Sequence, residues 1–390
     1  MEKSATSQRD YYLYLLKMAE MENNWYIIEN VETVDSPSIA LYLEHLKYNI
    51  NEMISLVEGK TERLMPHIKT NKMPKVMELL LASGISNFKA STISEAEIAA
   101  EAGAKSVLIA HQLVGPKVDR LLSLIKHFPN TQFSTILDNM DSAELLNQKA
   151  LEHEIKLNIY IDINNGMNRS GIEIGPGLDE LMAYLKICNS LFFKGLHAYD
   201  GHLRDADFTI RKGKIEKGVK DVETYFEALR IDYPAAELIC GGTPSFTSHA
   251  LQEKRITSPG TCVLWDWGYG EKLTEQNFKH AALLVTRIIS KPTEGIITID
   301  LGHKSVAAEN PIDKRVKFLN LDGYELLSQS EEHGVIQVKD WDKFKVGDVL
   351  YGLPYHICPT INLHDEVSVI ENGQKVDSWE ITARKRKIRF

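Results

Sequence analysis

The sequence predicts an α/β protein in which a (β/α)8 barrel of the TIM type is followed by an antiparallel β domain. Between about residues 36 and 270, short apolar or β-branched runs alternate with segments of helical period, which indicates parallel strands joined by helices. After about residue 275 the runs are β-rich and separated by turns, with no long helical window. We therefore expect a barrel over 35–272 that binds a small-molecule ligand, a β domain over 273–390, and an N-terminal segment, 1–34, that packs on the β domain.

Eight runs are candidate barrel strands, and eight is the number that a closed barrel needs. Several of them are apolar throughout, as strands buried on both faces are. An open, doubly wound sheet stays a second possibility. The runs are SIALYL, LMPHIKT, SNFKAST, SVLIAH, TQFSTILD, IKLNIYIDI, LFFKGLHAY and AELICGG.

The segments between these runs carry helix start and stop signals. In SEAEIAAEAG, Ser94 and Glu97 have the spacing of a capping box, and Gly103 supplies a stop. Gly115 and Pro116 mark the start of the next helix, PKVDRLLSLIKHF. In the β domain, ALLVTRIIS, GIITIDLG, EHGVIQV, VGDVLYGL and EVSVIENGQKV predict strands, the last with a hairpin turn at Asn372-Gly373.

Composition excludes several classes of protein. An apolar share of 43% and a charged share of 25% are those of a folded globular chain. A formal net charge of −9 argues against a nucleic-acid surface, and no apolar run is long enough to span a bilayer. The four cysteines are scattered, which favours free thiols over a disulfide framework. We expect a cytoplasmic protein that binds neither nucleic acid nor membrane.

In a barrel the active site forms where the strands end, so chemically active residues at those positions are candidates. Lys69 closes the run LMPHIKT between apolar positions. If those neighbours desolvate it, the pKa of its ammonium falls and the free amine becomes a nucleophile. A solvated surface lysine is the ordinary alternative.

Two loops have the composition of a phosphate cup. CGGTPSF contains Gly242 and Thr243 before a proline suited to a helix start, and SPGTC repeats the pattern with Gly260 and Thr261. Small residues let the backbone approach an anion, and late barrel loops are frequent phosphate sites. Tight turns would give the same residues.

Three further stretches contain polar side chains after apolar runs. DINNGMNRSG contains Arg169, HAYDGH contains Tyr199, and PYHICPTINLHD contains His356 and Cys358. Imidazole and thiolate are good zinc ligands, but a structural zinc site needs four, and the chain has no second pair. Two ligands therefore indicate an open metal site completed by water and substrate. The alternatives are ordinary loops and a buried cysteine beside an exposed histidine.

Together these motifs resemble the fold-type III pyridoxal-phosphate enzymes of the D-threonine aldolase and D-serine dehydratase group, relatives of alanine racemase. The matches follow one another in chain order over most of the sequence. They are DSPSIALYL, PHIKTNK, ISEAE, MNRSG, AYDGH, GGTPS, SPGT, EEHG and HICPTINLHD. The resemblance implies an alanine racemase-like barrel, a pyridoxal 5'-phosphate cofactor, a divalent zinc or manganese ion and a homodimer.

The resemblance also implies residue roles. Lys69 would form the Schiff base and act as the catalytic base, and Tyr199 would lie near the pyridine nitrogen. Arg169 would lie near the cofactor's phenolate or the substrate carboxylate. The phosphate cup would consist of Gly242, Thr243, Gly260 and Thr261, and the metal pair would be His356 and Cys358. Met65 and Asn71 depart from the family, which usually has Arg and His there.

The implied activity is that of a lyase on a small D-3-hydroxy amino acid. The His-x-Cys pair matches the dehydratase members better than the aldolase members, so we favour a D-serine or D-threonine type dehydratase that yields a 2-oxo acid and ammonia. The alternative is a D-threonine aldolase that yields glycine and an aldehyde. A racemase needs a second base and no metal, and a non-catalytic pyridoxal-phosphate carrier needs no β domain, so both fit less well.

Overall fold

The computed structural model describes residues 24–387, whose ordered elements form two sheets. The first is a parallel sheet of seven strands in chain order, and the second is a larger, mostly antiparallel sheet. The strand β1 (Ser38–Tyr42) belongs to the second sheet. The parallel sheet contains β2 (Asn87–Ala90), β3 (Ser106–Ile109), β4 (Gln132–Leu137), β5 (Leu157–Ile163), β6 (Leu191–Ala198), β7 (Glu237–Cys240) and β8 (Arg255–Thr257).

The short segment 64–68 closes the parallel sheet into a barrel. On one side the N–H of Met65 donates to the carbonyl of Thr257 at 2.8 Å, which ties the segment to β8. On the other side the N–H of Ile68 donates to the carbonyl of Lys89 at 2.9 Å, which ties it to β2. The predicted alanine racemase-like barrel with a C-terminal β domain is confirmed, although its eighth position is a bridging segment and no regular strand.

Two strand predictions were wrong. SIALYL becomes β1, but it pairs with strands of the second sheet and contributes nothing to the barrel. The barrel strand β8 was not predicted, because RIT is three residues long and contains an arginine. The arginine is Arg255, whose buried guanidinium donates to Glu223 at 2.6 Å and so can be accommodated inside. Pairing partners are tertiary information that an apolar run does not carry.

The helices alternate with the barrel strands as expected. They are α1 (Leu43–Leu56), α2 (Pro74–Ala82), α3 (Ile93–Glu101), α4 (Pro116–His127), α5 (Met140–Glu152), α6 (Pro176–Ile187), α7 (Phe208–Asp232) and α8 (Phe246–Ala250). Gly115 and Pro116 start α4 as predicted. The capping box predicted at Ser94 and Glu97 was wrong, because Thr92 is the N-cap of α3 and its hydroxyl accepts from the N–H of Glu95.

The second sheet is built mainly from the C-terminal part of the chain. Its further strands are β9 (Ala282–Thr293), β10 (Ile296–Ile299), β11 (Val316–Phe318), β12 (Tyr324–Gln329), β13 (Gly334–Val338), β14 (Val349–Pro354), β15 (Glu366–Glu371) and β16 (Gln374–Glu380). The predicted Asn372-Gly373 turn joins β15 to β16 with φ of 50° and 73°. The pairing is not wholly antiparallel, because β1 lies between β9 and β15 and is parallel to β15.

Residues near the N-terminal end of the described range pack on this sheet. Tyr26 and Ile28 are buried in a cluster with Leu283 and Tyr351, and the N–H of Glu29 donates to the carbonyl of Gly373 at 2.8 Å. Up to position 23, the predicted N-terminal segment lies outside the described residues.

Two short helices, α9 (Trp267–Lys272) and α10 (Ile357–Ile361), follow β8 and β14 in the chain. None of the helices described is both long and apolar enough to span a bilayer.

Candidate active site

A cavity of about 390 Å³ opens at the ends of the barrel strands. The chain reaches this rim wherever a parallel strand ends, so polar side chains that are distant in sequence meet there. Four of its residues, Lys89, Ile136, Asp162 and His197, come from the strands themselves. The residues of its wall used below are Lys69, Lys89, Asp162, Arg169, His197 and Tyr199.

Lys69 stands where the closing segment ends, as the sequence predicts. Thr70, the next residue in the sequence, is fully buried, whereas the side chain of Lys69 is exposed at the cavity. The desolvation predicted for Lys69 is therefore wrong for this structure. Ile68 next to it is buried and bonded to β2, which fixes the backbone from which the lysine extends.

Tyr199 and Arg169 form a second wall of the cavity. The guanidinium carbon of Arg169 lies 4.7 Å from the centroid of the Tyr199 ring, within the range of a cation–π contact. The ring is also tightly packed from behind, since a Cβ at Gly242 would lie 2.8 Å from Tyr199 Cε2. Gly242 is therefore required by the position of Tyr199. The structure brings Lys69, Arg169 and Tyr199 to one cavity.

The two predicted cup loops meet behind this cavity. The hydroxyl of Thr243 accepts hydrogen bonds from the N–H of Gly260 at 3.1 Å and of Thr261 at 2.9 Å. A Cβ at Gly260 would lie 3.1 Å from the carbonyl oxygen of His67, so glycine allows this close approach. The cup residues do not themselves line the cavity, and their phosphate role stays a prediction.

Cys358 contacts residues 64–70, which include Lys69 and are called the lysine segment below, and it also contacts the cup. His356 is two residues before it in the sequence. Cys358 lies on α10, and its Sγ is 3.2 Å from Thr70 Oγ1 and 3.4 Å from Thr261 Oγ1. His356 precedes α10, and its Nδ1 is 2.6 Å from a carboxylate oxygen of Glu309. The predicted metal pair therefore lies beside the residue that follows Lys69.

Electrostatics couple these two side chains. Burial by itself favours the neutral forms, raising the pKa of the Cys358 thiol and lowering that of the His356 imidazole. Burial is the largest single effect, but it is outweighed by the sum of their mutual hydrogen bond, their mutual charge attraction, and the contributions of Lys69 at the thiol and Glu309 at the imidazole. The pKa of Cys358 is lowered as a result, and that of His356 is raised to about 9.

A second, smaller cavity of about 150 Å³ adjoins His356. Its wall contains two cationic side chains, Arg204 and Lys272, and the buried carboxyl of Asp266. Burial raises the pKa of Asp266 to about 6, although it accepts hydrogen bonds from the N–H groups of Tyr269 and Ile357. His356, one of the predicted metal ligands, thus lies at the wall of this second cavity.

Among the residues described, no group of three or more His, Cys, Asp or Glu side chains has the geometry of a metal site. A complete structural zinc site is therefore not found in this part of the chain. The donor set of His356 and Cys358 does fit an open site, because the Nδ1–H of His356 is held by Glu309 and Nε2 is left to bind a metal.

Sequence reasoning missed three residues of the cavity: Lys89, Asp162 and His197. All three are buried, and they form a chain in which Lys89 Nζ lies 3.3 Å from His197 Nε2 and His197 Nδ1 lies 2.7 Å from Asp162 Oδ1. The available signal was an ionisable residue inside runs that otherwise have the composition of buried strands: Lys89 in SNFKAST, Asp162 in IKLNIYIDI and His197 in LFFKGLHAY.

Comparison with family models agrees with the fold and the motifs. Residues 41–265, more than half of the chain, match the model described as alanine racemase, N-terminal domain. The chain belongs to the fold-type III pyridoxal-phosphate family. Residues 281–370 also match a putative serine dehydratase domain, so both parts of the chain match models of one group.

Individual relatives of this fold-type III chain cover nearly its whole length. It is 27% identical to 3-hydroxy-D-aspartate aldolase of Paracoccus denitrificans over 90% of this chain and 92% of that protein. The crystal structure of D-threonine aldolase from Filomicrobium marinum superposes with a TM-score of 0.81 at 26% identity, over 90% and 96% of the chains. D-threo-3-hydroxyaspartate dehydratase of Delftia sp. HT23 is 22% identical over 89% and 97%.

The two departures from the family pattern occupy buried positions. Met65 packs with Leu108, Ile136 and Tyr160 in an apolar layer inside the barrel. Asn71 is buried beside the lysine segment, and its Oδ1 accepts from the N–H of Met73 at 3.2 Å. Met65 therefore replaces a charge by apolar packing, while Asn71 keeps a polar group in place.

Proposed function

We propose that the chain is a pyridoxal-phosphate- and metal-dependent lyase that removes the β-hydroxyl of a D-3-hydroxy amino acid and releases a 2-oxo acid and ammonia. The observation that carries the proposal is the meeting of three motifs at one barrel rim. Lys69 lies in the cavity, and Thr70 next to it contacts Cys358, which in turn contacts Thr261 of the cup.

The residues present fit pyridoxal phosphate. The cavity of about 390 Å³ has an amine, Lys69, at its edge and an aromatic ring, Tyr199, in its wall. The loops of Thr243 and Thr261 are brought together by direct hydrogen bonds, so the small residues of both loops would lie on one side of a bound phosphate. When bound, the cofactor withdraws electrons from the α-carbon of the amino acid that it holds.

The chain's own residues supply binding and proton transfer. Lys69 would hold the cofactor and then accept the α-proton of the substrate on its free amine. Arg169, exposed at the cavity, would attract the substrate carboxylate or the cofactor's ring oxygen. The neighbouring Tyr199 ring holds Arg169 in position through the cation–π contact.

His356 and Cys358 would hold the divalent ion, zinc or manganese, and that ion would polarise a substrate hydroxyl as a Lewis acid. Two protein ligands leave positions for water and substrate, as catalytic metal sites require. The Glu309 carboxylate fixes which nitrogen of His356 carries its proton. These residues lie next to Thr70, so the ion would be held close to the lysine that takes the α-proton.

The dehydratase reading is supported by the pair of ligands. In the Delftia dehydratase, a His and a Cys two positions apart have each been replaced by alanine, and the Cys variant was solved in a metal-free form. His356 and Cys358 have the same spacing. Aldolase is the second candidate, because the Paracoccus and Filomicrobium aldolases are more similar to this chain, at 27% and 26% identity.

The charge of the second cavity indicates which substrates should be compared. Arg204 and Lys272 place positive charge beside His356, and an acidic β-substituent would be attracted there. D-threo-3-hydroxyaspartate therefore belongs in the panel with D-serine and D-threonine. Preference for the acidic substrate would assign this cavity to the side chain of the substrate.

Product identification tests the proposal. Purified protein with pyridoxal phosphate and zinc or manganese is incubated with each D-amino acid, with and without a chelator. From D-threonine, 2-oxobutanoate and ammonia are expected, and loss of both on chelation; glycine and acetaldehyde would instead show the aldolase. A variant Lys69→Ala serves as control and should lose all turnover. Full activity in that variant would refute the cofactor assignment.

Two other outcomes would replace the proposal. An epimerised amino acid that forms equally well with chelator would show a racemase, and cofactor binding without any product would show a carrier. The homodimer and the cytoplasmic location implied by the family resemblance stay predictions. Light scattering of the holoenzyme measures the first.

A further inference from the structure

Lys89 is a second lysine in the wall of the cavity that contains Lys69. It lies on the inward side of β2 and is 2% exposed. The backbone N–H of Lys89 donates to the carbonyl of Pro66 at 3.1 Å, and its backbone carbonyl accepts from the N–H of Ile68 at 2.9 Å. Since Ile68 precedes Lys69, the two lysines extend from neighbouring positions on the barrel backbone.

Lys89 is buried without a carboxylate partner. Within residues 24–387, the hydrogen-bond partner found for its Nζ is His197 Nε2, and no Asp or Glu oxygen lies within 4.0 Å. The other buried lysine, Lys72, is by contrast paired with Glu95. A fully buried ammonium is rare unless it is paired, so a purely structural role does not account for Lys89.

The surroundings of Lys89 make its charge easy to remove. Burial, and then the charge of Lys69, lower the pKa of Lys89 to about 7, while the more distant carboxylates of Asp162 and Asp200 and the thiol of Cys240 act in the opposite direction. Lys89 therefore exchanges a proton near neutral pH.

Two further residues hold the amine in place. Asp162 Oδ1 accepts from Nδ1 of His197 at 2.7 Å, so the proton of the neutral imidazole is on Nδ1 and Nε2 faces Lys89 as an acceptor. Asp162 Oδ2 is fixed in turn by Gln112 and Ser170, each at 2.9 Å. One N–H of Lys89 is thus used by His197. The others have no hydrogen-bond partner among the described residues, although Nζ also lies 5.7 Å from the centroid of the Tyr199 ring in the same cavity.

We propose that Lys89 contacts bound pyridoxal phosphate directly, and that Asp162 and His197 are the positioning residues for its amine. The proposal rests on the cofactor assignment made above. The cofactor is an anion with acceptor oxygens, and a lysine with free N–H donors in a cavity is suited to such a ligand. In barrels this interior layer is usually filled by branched apolar side chains, so a Lys–His–Asp chain there costs stability without a ligand to contact.

Binding of pyridoxine 5'-phosphate tests the contact. This alcohol lacks the aldehyde and cannot bond covalently to Lys69, so its affinity reports the remaining contacts. Titration calorimetry would compare the cofactor-free full-length protein with Lys89→Met and with Lys105→Met, an exposed lysine before β3 at the opposite end of the barrel. We expect Lys89→Met to raise Kd at least about tenfold, as loss of a charge-assisted hydrogen bond does. Lys105→Met should bind like the parent.

Thermal unfolding of the same cofactor-free proteins separates this role from a structural one. Methionine has a similar shape and removes a buried cation, so Lys89→Met should unfold at the same or a higher temperature while its Kd is raised. A lower unfolding temperature with an unchanged Kd would overturn the proposal. His197→Gln, which keeps the lysine but removes the bond to Asp162, should raise Kd by a smaller factor.

The outcomes remain distinct from failure of the proposed function. If the parent protein binds no pyridoxal phosphate, the cofactor assignment fails and Lys89 has no such ligand. If the parent binds it and Lys89→Met binds pyridoxine 5'-phosphate equally well, only the Lys89 contact is refuted. If Lys89→Met does not fold, an unchanged Kd in His197→Gln refutes the proposal.

Discussion

The hydrogen bond between His356 and Glu309 is the residue-scale feature that most directly concerns the metal. Metal-binding histidines usually donate their other N–H to a carboxylate, which fixes the tautomer and the ring orientation. Here Nδ1 of His356 is 2.6 Å from Glu309, so Nε2 is the nitrogen available to an ion. Glu309 is 47 residues away in sequence, so the motif HIC gave no indication of it.

Replacing Glu309 should weaken metal binding without removing a ligand. Glu309→Ala frees the imidazole to rotate and to change tautomer, and loss of such a partner typically costs about 10- to 100-fold in metal affinity. Competition with a chelator would measure the Kd for Zn²⁺. Glu253→Ala, which removes an exposed carboxylate paired with Lys60, is the matched control and should leave Kd unchanged. Equal Kd values for both variants would contradict the role given to Glu309.

Motifs found the residues at strand ends, but they missed the partners inside the barrel. Lys69, Arg169 and Tyr199 were predicted because each follows an apolar run, and the structure brings them to one cavity. Lys89 and His197 lie inside such runs, and the sequence alone does not show which residue pairs with an ionisable side chain buried there. Their contact depends on the barrel's layer arrangement, which brings β2 and β6 face to face across its interior.

At the scale of elements, the start of α3 connects the lysine segment to the barrel. Thr92 caps the helix through the N–H of Glu95, and the Glu95 carboxylate accepts from the N–H of Ser91 at 2.6 Å and from Lys72. The Glu95 side chain thus reaches back to Ser91, the residue before the N-cap, whereas in a capping box the N–H of the N-cap itself would donate. The run STISEAE, which is rich in polar residues, allows several registers for the helix start, and burial of Glu95 against Lys72 selects one.

Breaking the Lys72–Glu95 pair should destabilise the protein strongly. Lys72→Met leaves the buried carboxylate of Glu95 without its cation, which typically costs about 3–5 kcal/mol in the free energy of unfolding. Adding Glu95→Gln should recover part of that loss, because the unpaired charge is then removed. Urea unfolding followed by circular dichroism measures both variants.

An exposed ion pair on the preceding helix, α2, provides the control. Lys75 and Glu78 lie three residues apart on α2 with both side chains about half exposed, and Lys75→Met should change stability by less than about 1 kcal/mol. If Lys72→Met changed the free energy of unfolding no more than Lys75→Met, the buried pair would not be what holds the lysine segment to α3.

At the scale of the whole molecule, β1 is a strand from the start of the chain that completes the second sheet. This strand precedes the barrel in sequence, yet it lies between β9 and β15 in the second sheet. Its residues Ile39 and Leu41 are fully buried. The sequence correctly predicts that these residues form a strand. An apolar run of five residues fits either sheet, however, so the sequence does not predict which strands β1 pairs with. Chain order alone therefore misassigned it to the barrel.

The position of β1 predicts how fragments of the chain behave. Residues 273–390 alone lack the strand that joins β9 to β15, which leaves two apolar edges unpaired, so this fragment should not unfold cooperatively. Appending residues 24–44 through a flexible linker restores the missing strand together with Tyr26 and Ile28, and a cooperative thermal transition should return. The same linked fragment with Leu41→Asp, which places a charge at a fully buried position, should remain without one. A cooperative transition in residues 273–390 alone would show that the second sheet is stable without β1.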